Sequence, residues 1–169
     1  EAAAASAGVD RDGVIAGNGS DDILTIAIRS FVDDGGTIAT VHPTYSLYPV
    51  LADIQGATTV EAHLQADFSL PKDLLEQVAD ADLLFLARPN APTGNCYPIE
   101  EMKDICRGFD GPVLIDEAYV DFADDSCIAL PREFPNAIVS RTLSKSYSLA
   151  GLRLGFAVAQ PDVIFGDRK

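Results

Sequence analysis

Val113-Leu-Ile-Asp-Glu-Ala-Tyr119 reads as a short strand that stops on an acid. Val113, Leu114 and Ile115 give no polar face to water, so a strand here is covered on both sides. Asp116 then falls at the carboxyl end of that strand, with Glu117 beside it and Tyr119 three residues on. Similar short runs predict strands over Thr37–Val41, Thr58–Ala62, Leu83–Ala87, Ala137–Ser140 and Phe156–Ala159. Amphipathic segments between them predict helices over Asp21–Val32, Leu47–Ile54, Pro71–Ala79 and Ile99–Arg107. Ser20 is expected to cap the first helix, with Asp21 and Asp22 in its first turn, and Pro71 and Pro98 to open two others. The alternation predicts an α/β fold: three layers, α/β/α, around a mostly parallel sheet with right-handed crossovers. The Ala-rich start, Glu1-Ala-Ala-Ala-Ala, has helical propensity.

The chain has 169 residues, enough for one domain with its own core, and 47% of them are apolar. A net charge of −14 leaves no basic stripe for phosphate backbones, which argues against nucleic acid as a partner. No apolar run approaches the roughly 20 residues of a membrane helix, and the start is not patterned as a signal peptide. Cys96, Cys106 and Cys127 are odd in number and lack CxxC spacing, so they read as free thiols in a reducing, cytoplasmic setting. His42 and His63 sit in unrelated sequence contexts, so a metal site is not expected.

Five segments carry chemistry. Leu143-Ser-Lys145-Ser-Tyr-Ser-Leu-Ala-Gly-Leu-Arg153 sets an amine among hydroxyls, with a guanidinium eight residues on. A crowded lysine that loses its proton is a nucleophile toward carbonyls, although most lysines are solvated surface groups. Asp116, at a strand's carboxyl end, lies where open α/β sheets bind ligands, and can pair with a protonated ring nitrogen. A magnesium-binding acidic pair would need a GxxxxGK[ST] loop, which the sequence lacks. Gly17-Asn-Gly-Ser20-Asp21 opens a helix; its free amides, with Thr142, Ser144 and Arg153, can make an anion cup. By itself such a segment is usually a turn with a cap. Tyr45, in Pro43-Thr-Tyr45-Ser-Leu-Tyr48, can stack on a flat ring or pack in the core. Arg88-Pro-Asn90-Ala-Pro-Thr-Gly94 is a rigid turn in which Asn90 can donate a hydrogen bond.

In this order the five segments resemble the pyridoxal-phosphate aminotransferases of fold type I, and among them the branch that acts on histidinol phosphate. The resemblance runs from about Val14 to Ala159. It implies the large domain of such a transferase over residues 1–169, with pyridoxal 5'-phosphate as cofactor. Lys145 would form a Schiff base with the cofactor and move the substrate's proton. Asp116 would pair with the ring nitrogen, Tyr119 with the ring hydroxyl, and Tyr45 would stack on the ring. Thr142, Ser144, Arg153 and the amides of Ser20 and Asp21 would hold the phosphate. The family often has asparagine where this chain has Ala91, and Asn90 is the candidate to replace it. His42 and Arg88 also depart from the family pattern. The implied reaction passes an amino group between glutamate, with its partner 2-oxoglutarate, and imidazole-acetol phosphate, whose aminated form is histidinol phosphate. Such enzymes are homodimers and carry an N-terminal arm and a small C-terminal domain, neither of which is expected in this chain. Alone, the chain is expected to be inactive. Two alternatives stay open: another enzyme of the same scaffold, such as an aromatic aminotransferase or a threonine-phosphate decarboxylase, and a non-catalytic domain.

Overall fold

Strand runs with apolar residues at every position need cover on both faces, and the computed structural model, which describes residues 1–166, provides it. In chain order the elements are α1 (Ala2–Ala7), β1 (Val14–Asn18), α2 (Ser20–Phe31), β2 (Thr37–His42), α3 (Leu47–Gln55), β3 (Thr58–His63), α4 (Leu74–Gln77), β4 (Leu83–Ala87), α5 (Ile99–Gly108), β5 (Val113–Asp116), β6 (Ala137–Thr142), β7 (Leu154–Val158) and α6 (Pro161–Phe165). The strands form one seven-stranded sheet in the order β1-β7-β6-β5-β4-β2-β3. β2, β3, β4, β5 and β6 pair in parallel. β7 runs antiparallel to both of its neighbours, β1 and β6, so it alone points the other way.

Alternation along each strand builds two cores. Leu84, Leu86, Val113, Ile115, Ala137 and Val139 pack with Leu74 and Val78 around α4 and with Met102 and Ile105 of α5. Their neighbours Leu83, Phe85, Leu114 and Ile138 face the opposite way, onto Ile23, Leu24 and Ile28 of α2 and Tyr48 and Leu51 of α3. The period of two residues thus sorts one apolar run into two layers. A smaller cluster of Ala7, Phe156 and Val158 seats α1 against the sheet.

Four local expectations are corrected. Val14–Asn18 is a strand, unexpected because it has only three apolar residues, none of them fully buried. The last strand begins two residues earlier than expected, at Leu154, drawn in by pairing Asn18 with Leu154 and Gly17 with Gly155. The helix expected over Pro71–Ala79 shrinks to one turn, because the chain leaves Pro71 in a tight turn and bends again at Val78–Ala81. Ser20 is the first residue of α2 rather than its cap; Gly19 holds the cap position and no side chain bonds to it.

The sheet decides where the ligand goes. The carboxyl ends of β1, β2, β4, β5 and β6 and the start of β7 share one edge. Asn18, His42, Ala87, Asp116, Thr142 and Leu154 therefore mark one rim of the molecule.

Candidate active site

The rim opens into a cavity lined by Ser20, Asp21, Tyr45, Asp116, Tyr119, Thr142, Ser144, Lys145 and Arg153, with Ala87, Pro89 and Ala91 among its apolar walls. Every residue singled out from the sequence except Asn90 meets there, delivered by separate connections between strands.

The anion end is built where β1, β7 and β6 lie side by side. Gly155 must be glycine, because a Cβ on it would overlap the backbone carbon of Gly19 and nitrogen of Ser20. Gly19 has φ +87°, a region open to glycine, and its own Cβ would strike the Arg153 guanidinium. These two glycines let the start of α2 lie against β7, so its free amides face the cavity beside Arg153. Arg153 Nη2 donates to Asn18 O at 3.4 Å and sits 3.6 Å from Asp21 Oδ2. Thr142 and Ser144 point their hydroxyls at one another at 3.0 Å, and the Ser144 amide donates to Thr142 Oγ1 at 3.2 Å.

The carboxylate end lies on the next strand, β5. Asp116 is 4% exposed. Oδ1 accepts from Ser140 Oγ at 3.1 Å and from the Ala118 amide at 3.2 Å, and Oδ2 accepts from Tyr48 Oη at 3.0 Å. Burial pushes this carboxyl above the usual carboxylate range, against the pull of those donors. Tyr45 stands between the two ends, its ring edge-on to Tyr48 at 5.6 Å and its hydroxyl 3.5 Å from Asp21 Oδ1. Lys145 is exposed at the cavity mouth, not buried, and its Nζ lies 5.3 Å from the centroid of the Tyr119 ring. It sits on a long loop between β6 and β7 that is tied at its base by Leu143 N to Leu154 O. Ser148 and Arg153, with φ of 55° and 49°, take left-handed backbone in this loop, a conformation uncommon outside glycine.

Asn90 does not line this cavity. Its amide donates to Pro43 O at 3.0 Å and to Thr93 Oγ1 at 2.7 Å, and its carbonyl accepts from Thr44 Oγ1 at 2.6 Å. Those bonds consume the group in holding two loops together. Arg88, unassigned from the sequence, is buried and donates to Tyr97 O at 2.6 Å and to the Asp125 carboxylate. Glu117, buried beside Asp116 but turned away, accepts from Arg141 Nε and Nη2 at 3.0 and 2.9 Å and from Ser126 Oγ at 3.0 Å. Tyr48 and Ser140 were missed as site residues. Nothing in the sequence distinguishes Tyr48 from an ordinary core aromatic, and Ser140 shows its purpose only once β5 and β6 pair Asp116 with Ser140.

His42 and His63 do meet, contrary to their separation in sequence: β2 and β3 pair them in register, with ring centroids 5.3 Å apart. Among the described residues, no group of three or more histidine, cysteine or acidic side chains is arranged to hold a metal ion. No helix among them is long and apolar enough to cross a membrane. Burial pushes the Cys106 thiol up to about 11 and the Cys127 thiol up to about 12, which removes both as nucleophiles near neutrality.

Against known proteins, residues 1–166 match the family model for aminotransferase class I and II. The chain is 49% identical over 157 residues to a histidinol-phosphate aminotransferase of Syntrophotalea carbinolica, covering 93% of this chain and 45% of that one. It is 48% identical to that of a Synechocystis species, covering 97% and 46%. A solved histidinol-phosphate aminotransferase of Sinorhizobium meliloti, in complex with pyridoxal-5'-phosphate, superposes with a TM-score of 0.86 at 28% identity, over 96% of this chain and 46% of that one. The chain thus spans about half the length of the relatives it matches.

Proposed function

The chain belongs to the class I and II aminotransferases, and on that premise we propose that it is the cofactor-binding domain of an enzyme that transfers an amino group between glutamate and imidazole-acetol phosphate. The observation that carries this reading is one cavity into which separate connections bring an anion cup, an amine, a buried carboxylate, a phenol and a flat aromatic. The donor set fits pyridoxal 5'-phosphate. The amides of Ser20 and Asp21, the hydroxyls of Thr142 and Ser144, and Arg153 suit its phosphate, and the close approach at Gly155 is what keeps those amides accessible. Asp116 suits a protonated ring nitrogen, Tyr119 the ring hydroxyl and Tyr45 the ring face.

Bound there, pyridoxal phosphate supplies the electron sink that lets a proton leave the carbon beside an amino group. Asp116 would pair with the ring nitrogen and keep it protonated; a buried carboxylate beside a cation is stabilised in its charged form, which offsets its desolvation. Lys145 Nζ would hold the group and would serve as the base for the substrate's α-proton. Tyr45 would stack on the ring, and Ala87, Ala91 and Ala118 give the cavity small walls there.

The relatives' shared description favours the histidinol-phosphate substrate over others on the same scaffold. Amino transfer from glutamate by the full-length protein tests it, with imidazole-acetol phosphate and aromatic 2-oxo acids as acceptors, and decarboxylation of threonine phosphate assayed in parallel. The expected result is a kcat/KM for imidazole-acetol phosphate above that for the aromatic acids by about 100-fold or more. Equal rates on the aromatic acids, or decarboxylation of threonine phosphate, would reassign the substrate.

A further inference from the structure

The proposed function gives Asp116 a partner on its cavity side, but the structure also shows what grips it from behind. Tyr48, three residues beyond Tyr45 in α3, has no exposed surface. Its ring stacks on Phe85 of β4 at 4.9 Å and 16°, and meets Tyr45 edge-on at 5.6 Å. Its hydroxyl reaches Asp116 Oδ2 at 3.0 Å and has no other partner among the hydrogen bonds described. A carboxylate has roughly four acceptor positions, two on each oxygen. Ser140 and the Ala118 amide fill both on Oδ1, and Tyr48 fills one on Oδ2. A single position remains, on the oxygen that Tyr48 holds, in a residue that lines the cavity.

We infer that Tyr48 is a positioning residue: its buried hydroxyl favours the ionised form of the Asp116 carboxylate and fixes its rotation, so that the one free acceptor position on Oδ2 serves the cavity. The inference rests on the proposed function, in which Asp116 pairs with the ring nitrogen. A carboxyl buried this deeply is driven toward its neutral form, and a neutral acid does not keep a ring nitrogen cationic. Three donors to the charged form oppose that drive, and Tyr48 is the only ionisable one. Its own proton is secure, because burial and the adjacent carboxylate push the phenol well above its usual range. The other ionisable groups that face Asp116 are Asp21, whose charge works against ionisation, and Tyr45; Lys145, Arg153 and Tyr119 line the same cavity. Tyr48 also touches Tyr45, so one side chain supports both the ring-stacking aromatic and the ring-pairing acid.

Tyr48→Phe separates this role from packing, since the phenyl ring keeps its contacts with Phe85 and Tyr45 and loses only the donor. The measurement is the pH titration of the Asp116 Cγ resonance in cofactor-free, 13C-aspartate-labelled protein, assigned with Asp116→Asn. Pyridoxal phosphate affinity is followed over the same pH range by absorbance. The expected result is a titration midpoint about one pH unit higher in Tyr48→Phe, with the acid-side fall in affinity beginning about one unit higher as well. The phosphate's own titration is common to both proteins and cancels in the comparison. An unmoved midpoint overturns the inference, whatever the cofactor does. A moved midpoint with an unmoved affinity profile also overturns it, provided Asp116→Asn does alter affinity. If Asp116→Asn leaves affinity unchanged too, the placement of Asp116 on the ring nitrogen has failed, and the inference falls with it.

Discussion

Asp116 and Arg153 bring opposite chemistry to the two ends of one cavity, and each predicts a different measurement. Because burial raises the Asp116 pKa in the folded chain, the native state holds that proton to a higher pH than the unfolded chain does. Its contribution to stability is therefore fully present below the ordinary carboxylate pKa and is lost as pH rises through the raised value. Asp116→Asn removes that dependence. In cofactor-free protein the melting temperature of Asp116→Asn should gain on wild type as pH rises from about 4 to about 7; a constant difference, or one of opposite slope, would show that Asp116 is not held against its charge. Arg153 is half exposed and its bonds within the protein are long, so its removal should cost little stability. Arg153→Ala should instead weaken pyridoxal phosphate binding about 10–100-fold, the worth of one charge-assisted hydrogen bond. Unchanged affinity in a spectroscopic titration would remove Arg153 from the anion cup. Both residues were legible in the sequence, because an acid ending an apolar run and an arginine after a hydroxyl cluster carry their chemistry locally. Asn90 was equally visible, yet its amide is consumed by Pro43, Thr44 and Thr93, which only the folded loops reveal.

At the scale of elements, the junction of β1 with β7 makes the anion cup. Gly155→Ala forces a Cβ into the backbone of Gly19 and Ser20, where no flexible side chain can give way. We expect a loss of about 1–3 kcal/mol in chemical denaturation, together with weaker pyridoxal phosphate binding, because relieving the clash moves the amides that start α2. Wild-type stability in that variant would mean that β7 does not press on the turn. Glu117 offers a contrast on the neighbouring strand. Glu117→Ala strips the partner from Arg141 and from the 126–127 loop, and should cost about 3 kcal/mol by denaturant titration. Since Glu117 faces away from the cavity, the surviving folded protein should keep its cofactor affinity; a parallel loss would place the carboxylate in the site. The inner strands were readable because each has a run of buried residues with few breaks. β1 was not, because a half-exposed edge strand paired to an antiparallel neighbour has a weaker pattern than a buried one.

For the whole molecule, the sheet order explains why segments spread over more than a hundred residues of sequence converge. Six of the seven strands point toward one rim, and the seventh returns from it carrying Arg153 at its start. The α/β alternation announced that arrangement, and the order β1-β7-β6-β5-β4-β2-β3 could not be read from it, because pairing depends on which faces bury best together. That order sets the anion cup at β1, β7 and β6 and the buried carboxylate on the adjoining strand β5, with Lys145 on the loop between β6 and β7. The central claim is that this loop presents Lys145 as the amine that takes pyridoxal phosphate. The direct measurement is peptide mass spectrometry after the protein is mixed with pyridoxal phosphate and reduced with borohydride. The account predicts a single reduced adduct on Lys145, absent from Lys145→Ala and accompanied by loss of the visible absorbance band. An adduct spread over Lys72, Lys103 and Lys169, with Lys145 not preferred, would contradict it.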